Sequence, residues 1–159
     1  MLYAALKAIH LLSVVAWVGG MFFMHVCLRP AAAATLEPPA RLRLMHATMK
    51  RFFDVVVGAI VLVLASGAAM MAIAGVTAAR SGLKFNVPLD WYAMVVVFVV
   101  MVAVFVHVRL VLFRRLGRAV AAEAWPQGAA ALAGIRREVM INLVLGAFVV
   151  ALMRLGGTA

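Results

Sequence analysis

Four stretches of this chain, each of roughly twenty residues, carry few charges: about Leu6 to Leu28, Val55 to Val76, Trp91 to Phe113 and Val139 to Leu155. A helix needs about 20 mostly apolar residues to cross the hydrocarbon layer of a membrane, where its backbone polar groups must be satisfied internally. The pattern predicts one domain over residues 1–159, an all-α integral membrane protein folded as an antiparallel four-transmembrane-helix bundle. Composition excludes an ordinary soluble domain, since 68% of residues are hydrophobic and 13% charged, against roughly 45–50% and 25% in globular chains. A cleaved leader is the other use of an apolar first stretch. This one outruns the roughly 7–15 apolar residues of such a leader and contains His10, Trp17 and His25, so it is read as span one. Cys27 is the single cysteine, which rules out an intrachain disulfide.

The net charge of +10 is distributed unevenly. Arg29, Arg41, Arg43, Lys50 and Arg51 surround the first connector, and Arg109, Arg114, Arg115, Arg118, Arg136 and Arg137 surround the third. The opposite side holds only Lys7, Arg80, Lys84 and Arg154. Positive loops stay in the cytoplasm, so connectors one and three are predicted inside and both termini outside. The basic residues flank spans and form no independent basic domain. That pattern predicts contact with the lipid bilayer, including anionic lipid, and no nucleic acid.

Glu37-Pro38-Pro39 has the form of a helix start, and no further proline falls between Ala40 and Gly75. Span two should therefore extend beyond the membrane. Span three can run on to about Ala124, with a turn at Trp125-Pro126-Gln127-Gly128 and a new helix from near Ala129. Gly82 to Leu89, which includes Asn86 and Pro88, reads as a loop. Gly58, Ala65, Gly67, Ala68 and Ala69 would favour close helix approach along span two.

Polar side chains at membrane depth are functional candidates, and all four histidines lie in or near a span. His10, Val14, Trp17, Met21, Met24 and Leu28 recur at helical spacing, with His25 at the edge of the stripe, so this face should meet the bundle. His10 and His25 are fifteen positions apart, about 22 Å along a helix, too far to share one metal ion. Two levels result. The inner one joins His25 to His107, with Arg109 and Glu138 nearby and His46 further towards the cytoplasm. The outer one sets His10 level with Met70, Met71 and Met153, and with Met94 off the common face.

Imidazole suits copper, zinc and iron, whereas thioether selects Cu(I). The outer set reads as a copper site. Paired histidines at one depth equally suit a haem b, with Arg109 as a partner for its propionate and Trp17 on the lining stripe. The pairing predicts that His107→Ala abolishes cofactor retention. Against both stand plain structural uses. Eleven methionines can fill gaps in an apolar core, histidines can be satisfied by neighbours, and Arg109 can mark the membrane boundary. Other chemistry has little support: Asp54, Asp90 and Glu138 sit at span ends, and no phosphate loop, paired-cysteine motif or zinc-type spacing occurs. Asn142 is placed to hydrogen-bond across the bundle or to a cofactor.

Lys7-Ala8-Ile9-His10-Leu11-Leu12 followed by Ala16-Trp17-Val18-Gly19-Gly20 resembles the first helix of bacterial CopD-like copper-resistance proteins. The same stretch, the basic lead from Arg41 to Phe53, and Arg136-Arg137-Glu138 are also similar to HemJ-type protoporphyrinogen oxidases. The first resemblance implies copper uptake or tolerance at the bacterial inner membrane. The second implies a four-helix haem b protein whose ligands are a span-one histidine, matched by His10, and a span-three lysine, which has no counterpart between Trp91 and Phe113. The expected function is copper handling through intramembrane His and Met. The alternatives are a haem b oxidoreductase or electron carrier working with a quinone, and a structural subunit without cofactor. Nothing in the sequence specifies an oligomeric state.

Overall fold

The computed structural model describes residues 1–84 and 86–155. Among these, every regular element is helical, and the elements join into four rods: α1 (Leu2–Thr35), α2 (Pro38–Arg80), α3 (Leu89–Ala121) and α4 (Trp125–Leu155). α1, α2 and α3 are each long and apolar enough to cross a membrane. In α4 the uncharged run from Val139 to Met153 is shorter than the roughly 20 residues of a typical span.

Contacts between the rods fix their directions. His10 meets Ser66 while Gly20 meets Phe52, so α2 runs back along α1. Asp54 meets Arg109 and Arg43 meets Glu123, so α3 returns along α2. Asn142 reaches Met101 and Gly134 lies against Leu112, which reverses the chain again in α4. The common core contains Trp17, Met21, Phe53, Phe105, Leu116 and Ile135. Trp17 meets Phe98 and Phe105 edge-on at 6.2 and 6.3 Å, so it is a packing residue of the core. That geometry is a favourable one for aromatic rings.

The predicted stripe of span one does face inward: Trp17, Met21 and Met24 are buried, with His10, Val14, His25 and Leu28 half-buried. The helix is wound more widely than the regular spacing assumes, because Val15–Gly19 and Met24–Leu28 are π-helical. A third such stretch, Val108–Leu112, lies in α3. The closest approaches involve glycines outside span two. A Cβ on Gly20 would lie 2.3 Å from Phe52, and one on Gly146 would lie 2.8 Å from Val18, whereas Gly58 has open space.

The predicted α3–α4 turn is displaced. The chain reverses before Trp125, with Glu123 at φ 53°, and α4 begins at Trp125 with Pro126 in its first turn. Proline fits there because its missing N–H would have no partner in a first turn. Arg43 secures the corner, bonding Glu123 at 2.8 Å and lying 5.0 Å over the Trp125 ring. α2 starts at Pro38 and passes through the whole basic stretch to Arg80, as the absence of proline predicts.

Candidate functional site

The helix directions bring one group of soft donors together near the cation-rich end of the bundle, where the α1–α2 and α3–α4 connectors lie. Met24 and His25 are consecutive residues of the widened turn in α1, and widened turns of this kind are frequent at functional sites. Met45 and Met49 are one turn apart on α2 and therefore share a face. All four line a single, partly open cavity of about 30 Å³, together with Phe52, Phe53, Leu132, Ile135 and Val139. Met24, Met45 and Met49 are buried, so the thioethers belong to the interior. Arg29 and Arg136 form the polar part of the wall.

A second, smaller cavity of about 10 Å³ adjoins the first through Phe52, Phe53 and Val139. Its lining includes Trp17, Met21, Glu138 and Asn142. Asn142 is 3% exposed, and its Nδ2 donates to the Met101 carbonyl at 3.0 Å. Its Oδ1 is buried without a hydrogen-bond partner. That orphaned acceptor marks a place where a donor group or a water can bind.

At the other end of α1, the His10 ring faces Ser66 of α2, with Nδ1 3.0 Å from Oγ. Ser66 Oγ is also within hydrogen-bond reach of the Leu62 carbonyl, so the serine ties the ring to the α2 backbone. A metal-ligating histidine is commonly oriented in this way by a hydrogen bond to its other nitrogen. Gly67 allows the close approach, as its Cβ position lies 3.4 Å from the His10 ring. Met70, Met71, Met94 and Met153 are all half-buried in the same half of the bundle.

The structure does not bring His25 and His107 together. His107 is exposed on the surface of α3, whereas His25 lines the cavity between α1, α2 and α4. The facing histidine pair predicted for one form of haem ligation is therefore not seen. Arg109 is engaged with Asp54 at 2.9 Å. His46 stands apart, stacked on Phe113 at 4.8 Å and seated against Gly117. Among the described residues, no group of three or more His, Cys, Asp or Glu side chains gathers where a metal could be held. Met45 and Met49 were missed by hydropathy because they precede span two among basic residues. The spacing of Leu42, Met45, Met49, Phe53 and Val56 was the available signal of an inward face.

Residues 46–155 match the family described as copper resistance protein D. The matched part covers most of α2, all of α3 and α4, and ends at Leu155. No curated protein and no solved structure matches the chain.

Proposed function

Because the chain belongs to the copper resistance protein D family, we propose that it handles copper as cargo in the bacterial inner membrane, holding Cu(I) through methionine and histidine of its helix bundle. The observation that carries this reading is the cavity lined by Met24, His25, Met45 and Met49. Three neutral thioethers and one imidazole form a soft donor set that suits Cu(I) and offers little to hard cations such as magnesium or calcium. α4 is read as a fourth crossing, with its charged ends at the two interfaces. The distribution of Lys and Arg then places the α1–α2 and α3–α4 connectors in the cytoplasm and both termini in the periplasm. His10, held by Ser66 and with Met70, Met71 and Met153 in its half of the bundle, serves as the outer ligand for the same cargo. Binding of the ion is common to uptake and to tolerance, so the reading covers both.

Titration of the detergent-purified protein with Cu(I) against a chromophoric Cu(I) chelator tests this. The native chain should compete for the ion. Met45→Leu with Met49→Leu removes two thioethers at nearly constant volume and should weaken retention by at least about tenfold. His107→Ala should leave it unchanged. Affinity unaffected by the double substitution would reject the inner site. Resolved α and β absorption bands after reduction would replace copper with haem.

A further inference from the structure

Two guanidinium groups, from two helices, meet at the mouth of the methionine cavity. Arg29 of α1 and Arg136 of α4 line its wall. The Arg29 charge is opposed by those of Arg136 and of Arg41 on α2, and His25 lies in the field of Arg29 and Arg136. The ion pairs among the described residues are Arg43–Glu123, Arg109–Asp54 and Arg137–Glu138, and none includes Arg29, Arg41 or Arg136. Like charges converging beside an apolar interior repel one another strongly, because the medium screens them poorly. An anion among them would reverse the sign of the interaction.

The surroundings indicate what kind of anion. Arg29 follows the apolar run of α1 and Arg136 precedes that of α4, so the pair stands at headgroup level. Below it the wall is apolar, made by Phe52, Leu132, Ile135 and Val139. Arg136 is exposed and Arg29 half-buried, so the guanidinium rim is reachable from outside the bundle. We infer that Arg29 and Arg136 form a binding site for the phosphate of one anionic phospholipid, whose acyl chain covers the apolar wall beneath.

Guanidinium forks match phosphate oxygens in pairs, and basic pockets between membrane helices on the cytoplasmic side are a known place for anionic headgroups. The inference stands without copper. It also bears on the proposed cargo, since a phosphate at the rim would neutralise the charges that face His25 and lower the barrier to a monovalent cation.

Native mass spectrometry of the copper-free, delipidated protein provides the test. The protein is offered equal amounts of phosphatidylglycerol and phosphatidylcholine. One phosphatidylglycerol per chain should be retained in preference, and Arg29→Gln with Arg136→Gln should weaken that retention by about thirtyfold. Glutamine removes repulsion within the cluster, so the variant should keep its helical circular dichroism. If it does not, the preference of the native chain for the anionic lipid decides alone. Equal retention of both lipids, or phosphatidylglycerol retention unchanged in a folded double variant, would overturn the site. Displacement of the lipid by an equal concentration of glycerol phosphate would overturn the lipid assignment in favour of a soluble phosphate.

Discussion

Gly19 and Gly20 are adjacent in α1 yet meet different surroundings: open space around the first and the Phe52 ring against the second. Gly19→Ala should therefore be neutral or raise stability by up to about 1 kcal/mol, through helix propensity alone. Gly20→Ala must displace a ring that borders both cavities, and a loss of about 1–3 kcal/mol is expected from overpacking. Thermal unfolding of the two variants in one detergent measures the difference, and equal midpoints would contradict the packing account. His10 and His107 show how far a residue's role could be read from sequence. The inward face of His10 followed from its spacing with Val14, Trp17 and Met21. The pairing of His107 was inferred from depth, which says nothing of direction around the helix. His107 lies two residues from buried Phe105, about 200° around the axis at 3.6 residues per turn, and so it turns outward. Burial of Met101, Phe105 and Val108 shows the face of α3 that does meet the bundle.

Among the elements, α2 extends furthest beyond the membrane. Its 43 residues rise about 65 Å, twice the roughly 30 Å of hydrocarbon. The basic half of this helix is therefore a wall shared by α1, α3 and α4 and carries Met45 and Met49. Helix starts at Pro38 and the loop after Arg80 were legible because proline and glycine punctuate a chain locally. The α3–α4 corner was not, since its reversal depends on a left-handed Glu123 held by the distant Arg43. Glu123→Val should lower stability by about 1–2 kcal/mol, because a β-branched side chain is strained at positive φ. Glu123→Gly should not, as relief of backbone strain offsets the loss of an exposed ion pair worth at most about 1 kcal/mol. Chemical denaturation of the pair checks the sign. The widened turns in α1 and α3 had no sequence signature, because they depend on how neighbouring rods pack.

The whole molecule is a multi-pass membrane protein whose excess of cations describes its placement more than its cargo. Ser81 lies just beyond α2, at the end opposite the basic connectors. In a Cys27→Ser background, Ser81→Cys should react with an impermeant maleimide added outside spheroplasts, and labelling from the cytoplasmic side alone would invert the topology. The pattern of apolar runs was enough to anticipate an all-helical protein with membrane-spanning helices. The soft cavity could not be anticipated, because its donors come from α1 and α2 and its remaining wall from α4. That division has a consequence for biosynthesis. All four donors emerge from the ribosome early, but the wall made by Leu132, Ile135 and Val139 arrives only with the last helix, so an unfinished chain presents the methionines without that wall. On the proposed function, acquisition of metal would report a completed bundle.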